Sequence, residues 1–129
     1  MENCIFCKII NRQLPAFIIS ENDDVVVFVS KHNDPLVVPK KHIKDIYELD
    51  DETGSKVMKE LVKTAQLVKK GLECDGVYVT QANESAAGQD VFHIHFHVYP
   101  RWQDQTKNQV NKVTDEERQL TQEKLKKVL

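Results

Sequence analysis

The chain has no apolar run near the roughly 20 residues that a membrane-spanning helix needs. Its opening residues, MENCIFCKII, also lack the basic-then-apolar layout of a secretory leader. Both absences direct the expectation to a cytoplasmic protein with no membrane partner. An excess of positive charge is missing too: 18 basic against 20 acidic residues leave a formal net charge of -2. A binder of nucleic-acid backbones normally shows a basic face, so nucleic acid is not an expected partner. A small phosphorylated ligand stays open, because local potential governs its binding. The three cysteines are odd in number and do not suggest a disulfide framework. Two of them, Cys4 and Cys7, form a C-x-x-C pair, which fits metal or redox use in a reducing compartment. There is no internal repeat, low-complexity tract or Gly/Ser linker. A chain of 129 residues suits one domain that can bury a core without obligatory staples.

Hydrophobic patterning predicts strands over 16–20 (AFIIS), 24–29 (DVVVFV), 35–40 (PLVVPK, ending at Pro39), 76–82 (GVYVTQA) and 91–99. Between the third and fourth strands the period becomes helical. From Asp51 to Leu72, Val57, Leu61, Ala65, Val68 and Leu72 share one face. Asp50 is the expected N-cap, and Gly71 or Gly76 the expected stop. Thr114 and Glu117 form a capping box for a C-terminal helix whose last turn carries lysines. Cys74 has no evident partner and reads as a small buried residue. The sum is an α+β fold: an antiparallel sheet with one long helix on one face.

The stretch VFHIHFHVYPRW places His93, His95 and His97, three of the chain's five histidines, at alternate positions. Alternate strand residues point to opposite sides, so Phe92, Ile94, Phe96 and Val98 belong under the helix and the histidines face away from it. Four uses compete for such a row: a polar outer face, a catalytic zinc with three protein ligands, imidazole as nucleophile and proton donor, or one histidine on a structural metal beside a free one. The preceding loop NESAAGQD, Asn83 to Asp90, is rich in small residues. Its exposed backbone N–H groups suit a phosphate, although such loops are often plain turns.

GQDVFHIHFHVYPRW resembles the signature of the histidine-triad (HIT) nucleotide hydrolases and transferases. CIFCKIINRQLPA resembles the family's N-terminal segment, and LVVPKKHIKDIYEL its third strand and the helix after it. The likeness spans about residues 4–102 and implies a HIT domain over 1–102, with 103–129 a C-terminal extension carrying a helix. It implies a five-stranded antiparallel sheet with one long helix, pairing as a homodimer with a ten-stranded sheet. The implied substrate is a purine nucleotide or dinucleotide, cleaved at its α-phosphate through a nucleotidyl-histidine intermediate. By position His95 is the nucleophile and His97 a contact to phosphate oxygens. Ile5, Phe6, Ile9 and Phe28 match the base pocket, and singly each could equally be a core residue. The loop Gly88, Gln89 and Asp90, with Asn83 at its start, would hold the phosphate. Cys4, Cys7, His42 and His93 resemble a closed structural zinc site.

The chain departs from that pattern where ribose and phosphate are handled. Ser30 stands nearest the family's ribose-binding Asp, Asn33–Asp34–Pro35 replace a Gly-His pair, Ala82 stands where Asn is usual, and Asp90 stands where Ser or Thr is usual. His32 lies near the lost histidine. Serine cannot accept from both ribose hydroxyls as a carboxylate can, and a carboxylate repels phosphate. Three functions remain for test: a hydrolase of nucleoside phosphoramidates or dinucleoside polyphosphates, a zinc-stabilised nucleotide-binding module with weak activity, and a zinc-hydroxide hydrolase.

Overall fold

The computed structural model describes residues 3–108 and 113–129; within the expected extension, 109–112 lie outside the described residues. Five antiparallel strands, β1 (Ile18–Glu21), β2 (Val25–Val29), β3 (Pro35–Pro39), β4 (Gly76–Thr80) and β5 (Phe96–Arg101), form one sheet in the order β1-β2-β3-β5-β4. The expected α+β fold is therefore observed. Every residue of β2 and β3 is buried. Their near-continuous Val, Leu and Phe runs fit strands covered on both faces rather than one.

The long helix α2 (Asp51–Gly71) covers one face. Asp50 caps it, its Oδ1 accepting from the Thr53 backbone N at 2.8 Å. Val57, Leu61 and Val68 pack with Val25, Val27, Val37 and Val98. Cys74 is buried in the same core, as expected. The stop is not made by glycine. Gly71 is still helical, Gly76 begins β4, and the left-handed residue after the helix is Glu73, with φ 50°. Gly71 has a different job: a Cβ there would lie 2.9 Å from Leu125 Cδ2. Its missing side chain lets α3 (Asp115–Lys126) close onto the end of α2. Leu125 is fully buried, so the C-terminal helix completes the core. The Thr114–Glu117 capping box starts α3 as read from sequence.

The opposite face is covered by a short helix missed in the sequence, α1 (Ile5–Ile10). Its six residues are too few to show a helical period, and Cys4 is an unusual cap. Phe6 and Ile9 pack with Val26, Phe28, Leu36 and Val38 in a second apolar cluster.

Two strand expectations need correction. The first strand begins at Ile18, not Ala16, and its register with β2 shifts between Ile18 and Ser20. The last begins at Phe96, not Val91. Residues 91–95 leave regular pairing: Ile94 N donates to the Ile43 carbonyl at 2.7 Å, and Phe92 turns outward, 44% exposed, beneath the Lys44 ammonium. Phe92 thus does not join the apolar face under α2.

Candidate active site and metal centre

His93 and His95 lie in the irregular segment before β5 and pack against α1, whereas His97 is the histidine on the strand itself. The Phe6 ring lies edge-on to His93 and His95, with centroids 6.0 and 5.0 Å apart. His93 is fully buried. Its Nε2 lies 2.8 Å from the Pro39 carbonyl oxygen, which can only accept, so the proton sits on Nε2 and Nδ1 is bare. That bare nitrogen faces Cys4 Sγ at 3.4 Å and Cys7 Sγ at 3.5 Å, and His42 Nδ1 lies 3.2 Å from Cys7 Sγ. All four ligand atoms lie within 4.8 Å of one another.

These spacings fit a metal. Tetrahedral zinc, with Zn–S about 2.3 Å and Zn–N about 2.05 Å, would separate S and N by about 3.6 Å. The Pro39 carbonyl takes the other ring proton of His93, the kind of hydrogen bond that orients a ligating imidazole. Burial, followed by the neighbouring Cys4 thiol, pushes the Cys7 thiol up to about 11. Burial likewise holds His93 down to about 4, hence neutral. Two soft sulfurs and two imidazole nitrogens form a closed donor set, with no position left for a reacting water. The set fits structural zinc, which leaves His93 unavailable for chemistry.

His95 is free. Its Nδ1 lies 2.9 Å from the His93 carbonyl oxygen, so it carries the proton and leaves Nε2 with an open lone pair. Burial lowers its pKa, opposed by that hydrogen bond, so the ring is neutral at pH 7. His95 and His97 open onto a cavity of about 440 Å³. Its apolar wall includes Ile5, Phe6, Ile9 and Phe28, the four residues proposed from sequence for a base.

Asp90 and Ser30 also line this cavity. Asp90 Oδ1 is 3.9 Å from His95 Nε2, while Asp90 Oδ2 takes a 3.2 Å salt bridge from Lys31. Burial works to raise the Asp90 carboxyl, but the Lys31 hydrogen bond and charge outweigh it and hold it below the usual carboxylate value. Lys31 thus offsets part of the repulsion an incoming phosphate would meet. The Ser30 hydroxyl donates to Asp34 and accepts from His32 N at 3.0 Å, so its hydrogen-bonding capacity is already engaged.

The remaining loop residues sit differently. Asn83 accepts from Ile46 N at 2.8 Å and pairs with Gln81, and it does not line the cavity. The buried Gln89 amide donates to the carbonyls of Lys44 and Val91 and accepts from Glu84 N. It braces the loop from within. Gly88 has φ 96°, a left-handed conformation that favours glycine, and its contribution is the loop's turn.

Sequence reading missed Lys31, Arg118 and the partner of Asp34. Arg118, from α3, lines the cavity and donates to the carbonyls of Ser30 and Lys31, both at 3.2 Å. No local pattern ties position 118 to position 30. Asp34 was visible as a departure. Its hydrogen bond to His97, 3.0 Å from carboxylate to Nδ1, was not.

The chain is similar to known proteins in sequence and in fold. The HIT domain family model matches residues 11–104. An uncharacterized HIT-like protein of Methanocaldococcus jannaschii is 39% identical over 78% of this chain and 80% of its own length. The adenosine 5'-monophosphoramidase of Saccharomyces cerevisiae is 30% identical over 76% of this chain and 62% of its own. A zinc-bound histidine triad family protein from Mycobacterium smegmatis superposes with TM-score 0.86 at 28% identity, covering 98% of this chain and 92% of that one.

Proposed function

The chain belongs to the HIT domain family, and we propose that it is a hydrolase acting at the α-phosphate of a purine nucleoside phosphoramidate or dinucleoside polyphosphate. The observation that carries this reading is His95, a neutral imidazole whose tautomer is fixed by the His93 carbonyl and whose bare Nε2 faces the cavity. That nitrogen attacks phosphorus and the leaving group departs, giving a nucleotidyl-histidine. Water then attacks the same phosphorus, releasing nucleoside monophosphate and returning the electron pair to Nε2.

Ile5, Phe6, Ile9 and Phe28 hold the base against apolar surface, and His97 contacts the phosphate oxygens. A zinc held by Cys4, Cys7, His42 and His93 would tie α1 to the segment before β5 and keep the base wall and the nucleophile in register. The exposed Tyr78 and Val79 on edge strand β4 support the expected homodimer, since an open edge can extend a sheet.

The test is intact mass spectrometry after rapid, acid-free quenching with adenosine phosphoramidate. A nucleotide adduct on the peptide holding His95 is expected. In His95→Ala, melting should shift little and turnover should fall at least about 1,000-fold. Parent-like turnover by that variant refutes the reading.

One observation favours a second reading, the weakly active nucleotide-binding module. Ser30 is engaged with Asp34, and Asp90 stands 3.9 Å from the attacking nitrogen. Nucleotide binding without monophosphate release over long incubation would decide for it.

A further inference from the structure

Resting on His95 as nucleophile, the geometry points to Asp34 as the positioning residue that makes His97 the proton donor to the leaving group. Asp34 lies two residues before Leu36, which pairs with His97 across β3 and β5. The register brings a loop carboxylate against the third histidine. That carboxylate is 1% exposed, and among the described residues His97 is the only cationisable group within salt-bridge distance. A buried carboxylate without a partner is strongly unfavourable. Ser30 occupies Oδ1 and the His97 ring occupies Oδ2, so both oxygens are used and their directions fixed.

A brace for the Ser30–Asp34 turn would need only the first of these bonds. The second gives His97 a defined tautomer. An ionised carboxylate only accepts, so Nδ1 carries a proton and Nε2 is the nitrogen left for the cavity. The other groups facing the ring are His32 from the same loop, with centroids 6.2 Å apart, His95 at 5.3 Å, and Tyr99 stacked at 5.0 Å. None of them supplies an anion. Asp34 is the carboxylate in hydrogen-bond contact with the ring.

The protons balance over the two steps. As His95 Nε2 bonds to phosphorus, the bond from phosphorus to the leaving nitrogen or oxygen breaks. Its electron pair stays on that atom, which takes the proton from His97 Nε2. When water attacks the intermediate, its proton goes to His97 Nε2 and the His95–phosphorus pair returns to His95. His97 ends as it began, with Nδ1–H still on Asp34.

The test compares two adenylate substrates of the full chain: an alkylamine phosphoramidate, whose nitrogen must be protonated to leave, and a nitrophenyl ester, whose phenolate leaves unaided. In single turnover, Asp34→Asn should slow adduct formation from the phosphoramidate by about 100-fold or more. It should leave the rate of adduct formation from the ester little changed, and only this first step separates the two, because hydrolysis of the shared intermediate also uses His97. Equal losses on both substrates, or no loss on either, overturn the role of Asp34 while the His95 reading stands. A parent protein that forms no adduct with either substrate overturns both. Nitrogen NMR of histidine-labelled parent protein gives a readout that needs no variant: His97 should show a protonated Nδ1, and a bare Nδ1 refutes the proposal.

Discussion

Stripping the metal from Cys4, Cys7, His42 and His93 should release α1 while leaving the sheet folded. Holding the eight residues from Cys4 to Asn11 in one conformation costs at least about 1 kcal/mol each, roughly 8 kcal/mol. Phe6 and Ile9 are its buried side chains. They return about 1.5–3 kcal/mol apiece, roughly 3–6 kcal/mol. A helix this short adds little of its own, because nucleation consumes its first hydrogen bonds. The shortfall of about 2–5 kcal/mol matches what a bound metal supplies at 100–1,000 times its Kd, about 2.7–4.1 kcal/mol. The main core under α2 shares none of this segment.

Hydrogen exchange with and without chelator reads the outcome directly. Protection of the α1 amides should fall about 100-fold, while β2 and β3 keep theirs. Since Ile5, Phe6 and Ile9 wall the cavity, nucleotide affinity should weaken in parallel, although no chemical step uses the metal. Unchanged α1 protection after verified metal loss would refute the tether, and global unfolding would refute its independence from the main core.

Acid should release the metal as chelator does, because a ligating imidazole must be unprotonated. Protection of the α1 amides should therefore fall as pH drops, and unchanged protection down to about pH 4 would contradict it. Leu125→Ala, at a fully buried position, should cost about 2–5 kcal/mol by urea unfolding. It should also raise KM by loosening the hold of Arg118 on Ser30 and Lys31; an unaffected KM would mean that α3 does not support the cavity.

Patterns that repeat locally were legible in the sequence. The 3.6-residue period set α2, Asp50 and Thr114 announced the helix starts, and the alternation of His93, His95 and His97 with apolar residues marked the histidine row. The family motifs gave the four residues of the metal cluster and four apolar residues that wall the cavity before any contact was known. Only tertiary structure could show that β5 starts at Phe96, because residues 91–95 answer to the Ile43 carbonyl and the metal cluster rather than to their own propensity. It also decided that α1 exists, since its stability comes from contacts and ligands distant in sequence. The pairing of Asp34 with His97, 63 positions apart, and the reach of Arg118 to Ser30 were settled the same way. Local periodicity determines which face a side chain presents; strand register and helix docking determine what it meets there.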